Sequence, residues 1–187
     1  MRWTIFVIVA SLILGFDEGL SSLFAIHTLG GVAPRMVITL ALFISLFGTR
    51  TSALWACWFL GVASDLGPRG EWIGSGLYLP GPAAIGLPLF CLLIMQLRGS
   101  VFRQRTVTIV VMTFMGSILV SLIGIAIILV RWIAPWIESS APPTLLLRMG
   151  HELATALYSA LLAIPLGVCL LKLISIWGFP QGGVSAR

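Results

Sequence analysis

Apolar residues in this chain fall in long blocks, set apart by charges and by Gly/Pro clusters rather than alternating with polar positions. The first block runs from Trp3 to Phe16 and continues past Asp17 and Glu18 towards Ile26. Others cover Met36 to Phe47, Ser52 to Ala63 (closed by Asp65), Trp72 to Leu97, Val107 to Val130 and Leu153 to Ile176. A helix crossing the hydrocarbon of a bilayer needs about 20 apolar residues. The pattern predicts an all-α integral membrane protein with about six transmembrane helices and short loops. It forms a single polytopic domain over 1–187, with spans at about 3–26, 34–47, 52–65, 76–97, 107–131 and 151–176.

Two boundaries need argument. The second and third blocks are short, but one tilted helix through both would hold Arg50 of the Gly48–Thr51 stretch at mid-bilayer, which is expensive. Two short helices joined by a tight turn fit better. Gly74 to Pro88 is rich in glycine and proline, and lipid cannot satisfy the peptide groups that irregular backbone leaves unpaired. The expectation there is a loop or broken segment packed against protein, with a regular helix from about Ala84. Pro165 is expected to kink the last span.

Composition agrees: 59% of residues are hydrophobic and 9% charged, and the mean hydropathy is +1.10. Soluble domains carry about a quarter charged residues, so this surface calls for lipid. The net charge is +5, but the basic residues are scattered rather than gathered on one face, which argues against nucleic acid. They read instead as topology signals. With six spans, Arg2, Arg50, Arg98, Arg103, Arg105, Lys172 and Arg187 share one side, and Arg35, Arg69, Arg131 and Arg148 the other. The richer side is cytoplasmic, so both termini are expected inside. Arg2 before an apolar run imitates a secretory signal, but Asp17-Glu18 follows without a clean cleavage site, which predicts an uncleaved first span.

No catalytic, metal or cofactor constellation emerges. His151-Glu152 resembles the start of H-E-x-x-H, but Thr155 stands where the second histidine belongs. Cys57, Cys91 and Cys169 lie in apolar stretches and read as buried packing residues. The seven tryptophans sit mostly near predicted span ends, as an interfacial belt. Asp65, four residues after Gly61, is a candidate for partner contact or packing, or a helix terminator at the interface. Asp17 and Glu18 are either intramembrane acids needing a partner such as Arg35 or Arg69, or ordinary loop charges after a helix ending at Phe16. The second reading is favoured. Their Gly15-xxx-Gly19 setting would admit a close helix neighbour. In the last span Thr155, Ser159, Ala163 and Gly167 recur every fourth residue and form a small-residue packing stripe.

Taken in order, several features form a familiar series. Ala33-Pro34 opens a short span, and a small turn leads to a span ending with Gly61, Asp65 and Leu66. A long span then stops in the basic loop QLRGSVFRQR, and the last begins ELATALYSALLAIPL. From about Pro34 to Leu173 this resembles the MreD family of rod shape-determining membrane proteins. The resemblance implies a non-enzymatic scaffold of the bacterial cell-elongation machinery in the cell inner membrane. Its implied partners are an MreC-like membrane protein, the actin-like MreB filament and peptidoglycan synthases. On that reading Asp65 and Gly61 belong to a partner-facing helix surface, and Arg98, Arg103 and Arg105 contact anionic lipid or a cytoplasmic partner. The competing architecture is the substrate-binding membrane subunit of an energy-coupling-factor vitamin transporter, in which Gly74 to Pro88 would line a pocket beside Trp72 and Tyr78.

Overall fold

The computed structural model describes residues 2–19, 32–67, 81–98, 106–133, 145–174 and 177. Among them are six α-helices and no strand: α1 Trp3–Gly19, α2 Met36–Phe47, α3 Arg50–Leu66, α4 Pro82–Leu97, α5 Thr106–Ile133 and α6 Leu145–Lys172. The helices run alternately up and down. The Arg2 amide donates to the Trp177 carbonyl at 3.1 Å, so the first and last described residues meet at one end of the bundle.

Helix α2 is the axis. It packs against each of the other five helices, and every residue from Val37 to Leu46 is buried. A helix apolar on all sides has no face to give to solvent, and the sequence MVITLALFISLF offers none. The outer helices instead bury one stripe each. In α1 the buried residues are Phe6, Ala10, Ile13 and Asp17, a spacing of three and four that keeps them on one face. In α3 they are Ala53, Ala56, Cys57, Leu60, Gly61 and Asp65, and in α4 Gly86, Leu87, Phe90, Cys91 and Ile94.

Close approaches fix the helix pairs. At Gly61 an added Cβ would collide with the Ala83 carbonyl oxygen and come within 2.8 Å of the Ala84 Cα, so α3 and the start of α4 touch backbone to backbone. Gly116 of α5 receives the Phe90 ring, whose nearest atom would stand 2.5 Å from a Cβ there. Gly167 of α6 takes the Ile109 side chain at 3.2 Å. By contrast, Gly15 and Gly19 have nothing within 4 Å, so their four-residue spacing makes no contact among the described residues.

Several expectations change. Helix α1 does not end at Phe16 but continues to Gly19, carrying Asp17 inward; residues 20–26 lie outside the described set. Helix α4 already begins at Pro82 and runs through Pro88, so only 74–80 of the Gly/Pro-rich stretch falls outside the described residues. Proline at the first helical position loses no bond, because its N–H would have no partner there. Helix α6 starts at Leu145, well before the predicted 151, and Pro165 lies inside it. Trp177 is not interfacial: it is fully buried with its ring edge against Phe43, 5.4 Å between centroids. Cys57 and Cys91 are buried free thiols, while Cys169 is exposed.

Length qualifies the six-span expectation. Among the described residues two helices are long and apolar enough to cross a membrane, Val107–Ile127 within α5 and Met149–Lys172 within α6. Met36–Phe47 and Pro82–Leu97 are apolar but shorter. At about 1.5 Å per residue the twelve residues of α2 reach roughly 18 Å, short of the ~30 Å hydrocarbon layer.

The Gly61 contact yields a direct comparison. Gly61→Val forces α3 and α4 apart, at the ~1–3 kcal/mol typical of overpacking, and lowers the thermal midpoint of the detergent-solubilised protein. Gly15→Ala, in open space within α1, does not lower the midpoint. Both are read by size-exclusion chromatography after a heating series.

Candidate functional site

A buried helix exposes a local problem at each end, since its first N–H and last C=O groups have no partner within the helix. Neither α2 nor α4 solves this with its own N-cap: Arg35 and Gly81 make no side-chain capping bond. Both are capped from a neighbouring helix. Asp17 Oδ1 accepts the Met36 amide at 2.9 Å and Oδ2 the Val37 amide at 3.1 Å. Asp65 does the same for α4, accepting the amides of Gly81 at 3.0 Å, Ala83 at 3.1 Å and Ala84 at 2.8 Å. Each aspartate closes the inward stripe of its own helix and meets the positive end of the next helix's dipole. Both are buried, at 7% and 9% exposure, and both accept backbone donors.

Asp17 is therefore not a loop charge but a cap on the start of α2. The Arg35 amide donates to Ser159 Oγ at 2.9 Å. Its guanidinium forms a fork on Glu152, with Nη1–Oε2 at 3.2 Å and Nη2–Oε1 at 3.3 Å. Ser121 Oγ donates to Glu152 Oε2 at 2.6 Å, tying α5 to the same pair. Glu152, which sequence reasoning read only as part of a failed zinc motif, is thus the hub of three helices. Its signal was its position: it precedes Thr155 and Ser159 by three and seven residues, on the same helical face. Arg69 lies outside the described residues.

Glu18 packs beside Gly67, where any Cβ would strike its carboxylate. At the opposite end of the bundle, Arg98 Nη1 donates to the Gly48 carbonyl at 2.9 Å. Gly48 follows α2, and its N–H returns to Ile44 O at 2.7 Å. Arg98 thus closes the C-terminal end of the axial helix, where a cation is favoured. Arg103 and Arg105 lie outside the described residues.

The small-residue row of α6 faces inward: Thr155, Ser159, Ala163 and Gly167 are all buried. It lies along α5, pinned by the Glu152–Ser121 bond and by the Gly167–Ile109 contact. Gly61, Asp65, Thr155, Ser159, Ala163 and Gly167 are thus all engaged inside the bundle. The outward faces are apolar, including Val7, Ile8, Leu12 and Phe16 on α1, Ile85, Leu89 and Leu93 on α4, and Leu153, Leu157 and Leu161 on α6. Trp55, Trp58 and Phe59 form an exposed aromatic group on α3, Trp55 and Trp58 edge to face at 5.9 Å.

Among the described residues no three His, Cys, Asp or Glu side chains are placed to hold a metal ion. Asp17 and Asp65 hold helix ends, accepting two and three backbone N–H bonds, while Glu152 ties side chains of neighbouring elements together. No protein-family model, no curated protein and no solved structure matches the chain.

Removing an N-cap costs ~0.5–2 kcal/mol. Asp65→Ala is expected at or above the top of that range because three backbone amides lose their acceptor together. Asp65→Asn keeps one carbonyl oxygen and is expected to lose about half as much. Chemical unfolding of the detergent-solubilised protein, followed by helical circular dichroism, measures both.

Proposed function

We propose that this chain is a multi-pass protein of a bacterial inner membrane with six spans and both termini in the cytoplasm. In this reading it serves as a non-enzymatic scaffold of the cell-elongation machinery that governs rod shape and peptidoglycan synthesis. The observation that carries the membrane setting is the division of its surfaces: large apolar side chains on the outside, and carboxylates turned inward onto helix ends. In water that arrangement would expose a hydrophobic surface on every side; in lipid it is the stable one. The meeting of Arg2 with Trp177 supports termini on a common side, and the Lys/Arg excess on that side supports its being cytoplasmic.

The scaffold role rests on the MreD-like series of motifs from Pro34 to Leu173. The bundle adds a physical reason for it: its polar groups are spent on holding helices together, which suits a protein that presents a fixed surface to neighbours. An MreC-like anchor, MreB filaments and peptidoglycan synthases are the proposed partners. The exposed Trp55, Trp58 and Phe59 group and the basic stretch Arg98, Arg103 and Arg105 are the proposed contact regions, on the membrane and cytoplasmic sides respectively.

A mild-detergent pull-down of the tagged protein from its native membrane tests this, with mass-spectrometric identification of what accompanies it. Recovery of an MreC-like protein, the actin-like filament or cell-wall synthases is expected. Recovery of paired ATPases with a coupling membrane subunit would overturn the scaffold reading in favour of a vitamin transporter. Joint replacement of Arg103 and Arg105 by alanine is expected to reduce recovery of the cytoplasmic partner several-fold, with the membrane partner retained.

A further inference from the structure

Among the described residues four buried hydroxyls find no hydrogen-bond partner: Thr39 on α2, Thr113 and Ser117 on α5, and Thr155 on α6. All are at least 97% buried. Their positions are not scattered. On α5, Ile109, Thr113, Ser117 and Ser121 form one four-residue row, and both ends of that row are fixed on α6, Ser121 by Glu152 and Ile109 by Gly167. The intervening Thr113 and Ser117 therefore lie along the Thr155–Ser159–Ala163 row. On α2, Thr39 lies one turn beyond Arg35, whose amide is bound to Ser159. Three helices thus bring their hydroxyls into a common seam that begins at the Arg35–Glu152 pair.

The inner end is closed. One further turn along each row stand Ile109, Phe43 and Gly167, and Ile109 and Phe43 are at most 1% exposed. Apolar side chains thus bound the seam at its inner end. From Ser121 to Thr113 it spans eight residues, roughly 12 Å of helix. A hydroxyl deep in an apolar core is stable only when bonded, and the back-bond to the carbonyl four residues earlier, which Ser159 makes to Thr155 O at 2.7 Å, is not made by these four. Polar recesses with several converging groups are where internal water binds.

We propose that the α2–α5–α6 seam is a water-binding site, a short file of bound water entering beside the Arg35–Glu152 pair and ending against Ile109 and Phe43. Water is the ligand these groups select: small, uncharged, and able to donate and accept between hydroxyls on opposing helices. With apolar Ile109 and Phe43 at its inner end, the file acts as a structural ligand. The inference is independent of the scaffold reading, since it concerns the bundle's interior and not its partners.

Water-edited solid-state NMR on the isotopically labelled full chain in lipid bilayers tests it. Magnetisation from water is expected to reach Thr39, Thr113 and Ser117 several-fold faster than Ile109 and Phe43. In a Thr113→Val/Ser117→Ala variant the transfer to Thr39 is expected to fall several-fold, and Ser117→Ala alone serves if the double variant does not fold. Transfer to the hydroxyl positions as slow as to Ile109 would show a dry interface and overturn the proposal. Transfer equally fast to Ile109 and Phe43 would also overturn it, by showing general solvent penetration rather than a bounded site.

Discussion

The structure depends on one constraint: a helix buried along its whole length must have its terminal backbone groups satisfied by other parts of the chain. Helix α2 is buried from Val37 to Leu46 and touches all five other helices. Its first amides have no partner within the helix, and its N-cap residue offers no capping side chain. Asp17 of α1, Ser159 of α6 and Arg98, just past α4, meet that need, two at the N-terminal end and one at the C-terminal end. Each of these bonds also fixes the height of an outer helix against the axis. The capping groups therefore set the register of the bundle as well as satisfying its backbone.

The same device recurs one hairpin later, where Asp65 of α3 holds the start of α4. Its geometry demands that α3 and α4 nearly touch, and Gly61, one turn before the aspartate, is where they do. The Gly61–Asp65 pairing thus has a mechanical meaning: the glycine lets the next helix come close enough for the aspartate to reach its amides. Burying a carboxylate is costly unless it is well bonded. Two or three backbone donors on each make these two aspartates tolerable, and removing either side would leave the other stranded.

Much of this was legible in the residues. Block lengths gave the order of six helices, and the Thr155–Gly167 row marked the packed face of α6. The stripe Phe6–Ala10–Ile13–Asp17 also shows that Asp17 must turn inward if the helix continues, but charge alone suggested a helix end. An acid in an apolar segment says that a partner is needed without saying which. Here the partners are peptide amides 19 and 20 residues away, which leave no mark in side-chain chemistry. Glu152 was hidden for the opposite reason, because a motif comparison drew attention to what Thr155 was not. The early starts of α4 and α6 were obscured by Pro82, Pro88 and Gly150, residues that discourage helix on average but are accommodated here.

The most direct test of the capping account is amide hydrogen exchange of the solubilised protein, resolved at single residues around the starts of α2 and α4. The account predicts slow exchange at Met36, Val37, Ala83 and Ala84, and a selective rise of at least tenfold at Met36 and Val37 when Asp17 becomes alanine, with Ala83 and Ala84 unchanged. Fast exchange at all four amides in the unaltered protein, or no response to the loss of Asp17, would contradict it.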